Sequence, residues 1–294
     1  ILERTREHCF RSLHDARLEP EELQEVILVG GATRMPLVRR LAAEWFGREP
    51  NLSQHPDEAV ALGAVIQAGI LEGALRHVTL LDVTPLSLGL ETFGGLMNVL
   101  IPRNTTIPCK AGEMFTNAVA NQRSMRITVM QGEREIARDN FQLGEFEIPF
   151  TPAPKGQARV GVQFEIDANG LLKVLARDIA TGQDKIVEIH SAVDVAGTEV
   201  ERMISDSVDH AFDDMAERIF IETKLKAEEL LAAVEAARLQ IELTEAEEAQ
   251  IAALQAEVKN ALQTRETQRL KKAVAELDDL TEPLAARILE KLMG

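Results

Sequence analysis

The feature that most constrains this chain is a change of period within the stretch His77 to Thr92, HVTLLDVTPLSLGLET. A short apolar run, Val78, Leu80 and Leu81, ends at a lone acid, Asp82. From Pro85 onward Leu86, Leu88 and Leu90 alternate with Ser87, Gly89 and Glu91. Alternation of period two marks a half-buried strand, so the stretch reads as a linker feeding a strand. Linkers between domains are normally polar, because exposed leucine costs roughly 25 cal/mol per Å² of apolar surface left in water. Leucines here point to a docking segment. Upstream of it the pattern is α/β; downstream it is all-β and then helical.

In the upstream part Leu2, Cys9 and Leu13 fall on one side of an opening helix, and Pro20 starts a short turn. Val26-Ile27-Leu28-Val29 is a continuous apolar run of the kind found in a buried strand, and it ends at Gly30-Gly31. Pro36 suits the first turn of a helix that carries Leu37, Leu41 and Trp45 inward. Strand, glycine pair and helix in that order let the backbone approach a ligand closely, and the ligand class suggested is a nucleotide. After Asp57 a helix combines small residues (Ala59, Gly63, Ala64, Ala68) with Val60, Val65 and Ile66, and is expected to be buried on more than one side. The chain does not open on Met and Ile1 falls inside a helical pattern, which reads as a piece of a longer protein.

Charge and cysteine usage narrow the function classes. A formal net charge of -16 argues against nucleic acid or an anionic membrane as main partner, and favours basic or neutral ones. Cys9 and Cys109 lie far apart, and no third Cys or paired His offers metal spacing, so free thiols in a reducing compartment are expected. No apolar run approaches the roughly twenty residues of a membrane-spanning helix, and no signal-peptide pattern is present. These features read together as cytoplasmic.

Between Val83 and Val193 alternating segments recur: Met125, Ile127 and Val129; Val160, Val162, Phe164 and Ile166; Leu172, Val174 and Ala176. Asp167-Ala168-Asn169-Gly170 and Thr181-Gly182 join successive strands as hairpins, and a β-sandwich is expected. No Ser, His and Asp set accompanies a nucleophile motif, so no enzymatic chemistry is read here. From Gly197 no Gly or Pro follows until Pro283. Thr198 to Glu201 reads as a capping box, followed by an apolar stripe of Val200, Ile204, Val208, Phe212 and Met215. A second box, Thr244 to Glu247, opens a helix with Ile251, Leu254 and Val258 on one face; Thr264 is expected to begin another, kinked or restarted at Pro283. Helices with short connections make a bundle, with a coiled-coil dimer as the alternative.

The stretch from His77 to Thr92 resembles the interdomain linker and first substrate-domain strand of the DnaK-type chaperones, the seventy-kilodalton heat-shock family. GGATRMP resembles that family's adenosine-side motif, and NTTIP (Asn104 to Pro108), QGER (Gln131 to Arg134) and FEIDANGLLKVLARD (Phe164 to Asp178) resemble its peptide-binding sandwich. The likeness covers essentially the whole chain. It implies a multidomain α/β, all-β and all-α protein: residues 1–76 as the end of an actin-like nucleotide-binding domain, 77–82 as an apolar linker, 83–193 as a β-sandwich that binds peptide, and 194–294 as a helical lid.

By the same resemblance Gly30 and Gly31 face a nucleotide, Arg34 lies against the adenine and Asp57 helps close the site, while Leu80, Leu81 and Asp82 form a switch linker. Leu88, Leu90, Phe115, Met125 and Ile127 surround a peptide pocket, with Phe93 and Ala118 arching over it. The cofactor is ATP or ADP, with Mg in the intact protein, whose main phosphate and metal contacts lie upstream; this chain alone is expected not to hydrolyse ATP. Partners implied are hydrophobic segments of client proteins, a J-domain co-chaperone and a nucleotide exchange factor, with no nucleic acid and no membrane. Several positions depart from the family pattern. Ala32 stands where relatives carry a hydroxyl or amide, and Phe93 where they often carry Met or Ala, which narrows the arch. Ala120 replaces an acid that helps latch the lid in some relatives, and Lys155 stands where Arg can occur, so weaker latching is expected. A nucleotide-independent peptide-binding scaffold and the specialised iron-sulfur assembly branch remain as alternative readings, and the sandwich and lid disfavour a sugar-kinase-like enzyme.

Overall fold

The computed structural model describes residues 2–53, 55–75, 82–168, 170–189, 197–241 and 243–293. Leu80 and Leu81, the predicted switch leucines, lie outside the described residues, as does Asn169 of the expected hairpin. Helix and sheet are both present, and the chain divides into two compact units, Ile1–Asp82 and Val83–Gly294.

The first unit is helical. Helix α1 (Leu2–Ala16) keeps Leu2, Cys9 and Leu13 half-buried, and Phe10 stacks on Phe46 with ring centroids 6.1 Å apart. The expected buried strand Val26–Val29 is instead a single parallel bridge, Ile27 to Asn51, and Ile27 and Val29 are exposed. A strand needs a ladder on at least one edge, and among the described residues only the Asn51 amide, donating to Val26 O at 2.7 Å, supplies it here. Pro36 does open helix α2 (Pro36–Phe46), which ends at Gly47 in the left-handed conformation. Its buried residue is Ala42, however, while Leu37 is exposed. Helix α3 (Ala59–Leu71) also departs from expectation: Val60, Val65 and Ile66 are exposed, Val60 by 70%, because no described element covers them.

The second unit holds two four-stranded antiparallel sheets. After the short β1 (Asp82–Val83), strands β2 (Leu88–Thr92), β3 (Leu96–Ile101), β4 (Thr106–Ile107), β5 (Cys109–Phe115), β6 (Ser124–Gln131), β7 (Phe141–Pro149), β8 (Val160–Ile166), β9 (Leu172–Asp178) and β10 (Asp184–Ile189) follow. One sheet has the order β3-β2-β6-β7 and the other β10-β9-β8-β5. Their apolar residues share one core: Leu88, Val129 and Ile148 from the first sheet, Val162, Phe164 and Val174 from the second. Strand β8 shows why the alternation was readable, since Val160, Val162, Phe164 and Ile166 are buried and the residues between them only partly so.

Strand β2 starts buried on both faces, at Leu88, Gly89 and Leu90, and keeps the one-sided burial its period suggested only at its end, where Glu91 is exposed. It is an inner strand, and its polar partners are internal. Ser87 N donates to Glu133 Oε1 at 2.6 Å, Ser87 Oγ to Glu133 Oε2 at 3.1 Å, and Arg103 N to Ser87 Oγ at 2.9 Å. Those bonds satisfy the hydroxyl, so its burial carries no desolvation penalty for an unmade bond.

Four helices complete the unit: α4 (Gly197–Asp209), α5 (Ala211–Arg238), α6 (Glu245–Thr264) and α7 (Thr267–Met293). Helices α5 to α7 pack on one another around Phe220, Val234, Ile251, Val258, Leu270 and Leu277, so the chain folds its own bundle. The Thr244–Glu247 box forms, with Glu247 N donating to Thr244 Oγ1 and Thr244 N donating to Glu247 Oε2 at 2.8 Å. Three helical expectations are corrected. Thr198 lies inside α4, which begins at Gly197, and not ahead of its first residue. Thr264 ends α6, with Arg265 as a left-handed cap, and starts nothing. Of the kink or restart expected at Pro283 the restart is the part overturned, since α7 runs through that residue.

Candidate functional site

One end of the two-sheet core opens into a groove of about 660 Å³. Leu90, from β2, and Met125 and Ile127, from β6, lie along it beside Phe115, at the end of β5. Phe93 stands on the β2–β3 turn and Ala118 on the loop after β5, and both line the same space. Six of the seven predicted pocket residues are thus brought together. Leu88 is not among them: it lies two residues deeper on β2, fully buried in the core. Sequence reasoning missed Met114, Gln122 and Arg126, which also line the groove. Only Gln122 left a signal, as an amide in the polar loop between two strands.

The groove is apolar at its base and mixed at its mouth. Leu90 and Ile127 are buried, Met125 and Phe115 are half-buried, and Phe93 is 65% exposed. Glu91 and Arg126 add one charge of each sign. The turn bearing Phe93 continues through Gly94 and Gly95 at φ of 92° and 76°, which only glycine adopts readily. Helix α5 lies against this turn: a Cβ on Gly94 would come within 2.7 Å of Ile221 Cγ2 and 3.2 Å of Leu225 Cδ1.

Further polar contacts hold the same helix face to the sheets. Arg134 grips Asp214 through two bonds, Arg218 pairs with Glu135, and Lys155 Nζ stands 3.0 Å from Glu229 Oε1. The bond from Arg134 holds the Asp214 carboxyl below its ordinary range, despite burial that acts the other way. This corrects the expected stripe. Phe212 and Met215 are exposed, Phe212 by 87%, because α5 turns its Asp214, Arg218, Ile221 and Leu225 face toward the sheets, and Val208, near the end of α4, is exposed as well. Ala120 is exposed on the loop after β5.

In the first unit the four predicted nucleotide residues form a cluster. Gly30, at φ of 88°, donates its N–H to Pro56 O at 2.8 Å. A Cβ on Gly31 would sit 3.2 Å from Asp57 Oδ1, and Arg34 is ion-paired to the same carboxylate. Hydrogen bonds made in the guanidinium plane leave its flat faces available for stacking. Such a group beside an open glycine turn fits a planar base. Asp82 is exposed.

Both cysteines are free and half-buried, and burial pushes the Cys109 thiol up. No group of three His, Cys, Asp or Glu among the described residues could hold a metal ion. No helix of the described residues is long and apolar enough to cross a membrane.

A family profile described as Hsp70 protein matches residues 1–290. The chain is 43% identical over 302 aligned residues to the chaperone protein dnaK3 of Synechococcus elongatus, covering 99% of this chain and 40% of that protein. It is 44% identical over 285 residues to the stromal 70 kDa heat shock-related protein, chloroplastic, of Spinacia oleracea, covering 95% of this chain and 47% of the relative. The chain therefore spans less than half the length of these relatives.

Proposed function

This chain belongs to the Hsp70 protein family, and from that premise we propose that its second unit binds extended, apolar peptide segments of client proteins under the control of nucleotide bound elsewhere in the intact protein. The two sheets are the peptide-binding sandwich and α4 to α7 its lid. The observation that carries this reading is the groove, about 660 Å³, apolar at its base, with helix α5 lying against the turn that bears Phe93. An extended peptide offers backbone hydrogen bonds along its length and one apolar side chain to such a groove.

The first unit supplies the adenosine side of an ATP or ADP site, with Gly30 and Gly31 giving close backbone approach and Asp57 orienting Arg34 for the base. Nucleotide and its Mg bring the phosphate chemistry. This chain's residues bind and orient. Leu80, Leu81 and Asp82 form the linker through which that state reaches the groove, and a J-domain protein and an exchange factor are the partners of the cycle.

Met125→Trp tests the groove. Met125 is half-buried at its base, so an indole there takes the space of a bound side chain. Burying a leucine side chain is worth about 1.5–3 kcal/mol, so affinity for a Leu-centred peptide should fall at least about tenfold. Fluorescence anisotropy with one labelled peptide reads the affinity, and thermal melts run beside it. Unchanged affinity, or a loss explained by unfolding, would make Met125 ordinary core and remove the reading.

A further inference from the structure

We infer that Asn117 is a positioning residue that carries the Lys155–Glu229 contact into the rim of the groove at Ala118; this rests on the peptide-binding reading above. Asn117 is 1% exposed, yet its side chain spans two separate segments. Its Nδ2 lies 2.9 Å from Val119 O, 3.1 Å from Ala153 O and 3.0 Å from Pro154 O, and its Oδ1 accepts from Ala158 N at 3.0 Å. Its own carbonyl accepts from Gly156 N at 3.1 Å. A further bond, Asn121 N to Ala153 O at 3.0 Å, closes the same junction.

Lys155 sits between Pro154 and Gly156, both bonded to Asn117, and its ammonium meets Glu229 on α5. On the other side Ala118 follows Asn117 directly, with its N–H held by Gln122 Oε1 at 3.0 Å. A buried amide whose bonds are all made resists displacement, because any shift leaves polar atoms unpaired away from water. Movement of Lys155 with the helix is therefore passed to Ala118 and not absorbed between them. The rim is held when α5 is seated and freed when it lifts.

The test is a double-mutant cycle on the full chain: wild type, Glu229→Gln, Asn117→Ser and the pair. Release of a fluorescein-labelled Leu-centred peptide is followed by stopped flow, with melts of all four proteins. Glu229→Gln should speed release about threefold in the wild-type background, the scale of an exposed ion pair, and by less than about half that factor in the Asn117→Ser background. Equal factors in both backgrounds overturn the inference, as does an Asn117→Ser protein that melts lower but releases peptide at the wild-type rate. Should Asn117→Ser fail to fold, ¹⁵N spectra of wild type and Glu229→Gln decide. The Asn117 side-chain amide and the Ala118 backbone amide should both shift, and unmoved signals reject the relay. A wild type that holds no peptide sinks the function proposed above, and the spectra still judge this inference.

Discussion

Arg134 and Asp214, eighty residues apart in the chain, meet through two bonds, Nε to Oδ2 at 2.5 Å and Nη2 to Oδ1 at 2.7 Å. Glu135 N adds a third donor to Oδ2 at 3.3 Å. Both side chains are largely buried, at 14% and 8% exposure, so this pair ties the start of α5 to the loop after β6 away from most solvent.

Asp214→Asn should therefore destabilise the second unit by about 3–5 kcal/mol, nearer the lower figure because Asp139 remains 3.8 Å from Arg134. Urea unfolding at neutral pH measures it. The acid dependence has a definite sign. The folded carboxyl is held below its unfolded value of about 3.9. Its contribution is complete above that value and is lost as pH falls through the lowered folded one. The gap between wild type and variant should stay constant from pH 7 to pH 5 and narrow only in stronger acid. A gap that already narrows above pH 5 would show that loss of the Asp214 charge is not what separates the two proteins.

Gly89 is set by a backbone approach. A Cβ there would lie 2.2 Å from Asn98 O and 2.8 Å from Asn98 C, at the register shift between β2 and β3. Main chain cannot swing aside as a long side chain does. Gly89→Ala should cost at least the upper end of the about 1–3 kcal/mol typical of overpacking. The control is Gly156→Ala, where a Cβ meets nothing within 4 Å and only the positive φ of 75° is strained. If both variants melt together, the strand contact is not the constraint.

Thr244 accepts from Glu247 N at the start of α6, while Glu247 also reaches Arg287 on α7 at 2.9 Å. Replacing an N-cap threonine by alanine costs about 1 kcal/mol. Thr244→Ala should lower stability by that amount and leave peptide affinity unchanged, since the cap stands on the helical bundle and lines no part of the groove. Melts and anisotropy on one preparation check both halves, and a fall in affinity would place the bundle's tip in contact with the ligand.

Periodicity made much of the sheet pair legible. In β8 and β9 alternate residues are buried because one face packs on the core, and the turn residues between them are those that reverse a chain. It failed where the burial partner is not local. Val26–Val29 has a strand's composition but a ladder of one bridge. For α5 the period says which residues share a face, not which face meets a neighbour. The neighbour is the polar loop carrying Arg134 and Glu135, so the seated face is the one with Asp214 and Arg218, and Phe212 is left outside. The groove residues were reached through motif resemblance. Alternation alone does not separate Leu90, at the groove, from Leu88, two residues deeper.

Phe93 offers the last test, because its exposure separates binding from folding. It is 65% exposed on the β2–β3 turn and lines the mouth of the groove, so the fold gains little from its ring. A peptide seated in the groove would cover much of that ring. At roughly 25 cal/mol per Å², covering some 40 Å² is worth about 1 kcal/mol, or about fivefold in affinity. Phe93→Ala should weaken binding of a Leu-centred peptide by about that factor while the melting temperature stays within a degree or two. The loss should appear mainly as faster release, since truncation leaves the encounter surface nearly unchanged. Phe93→Met, which restores an apolar and more flexible side chain, should recover most of the affinity. Stopped-flow association and dissociation on the three proteins decides the matter. If Phe93→Ala melts well below wild type, the ring is part of the fold; if release is unchanged in a stable variant, bound peptide does not pass beneath it.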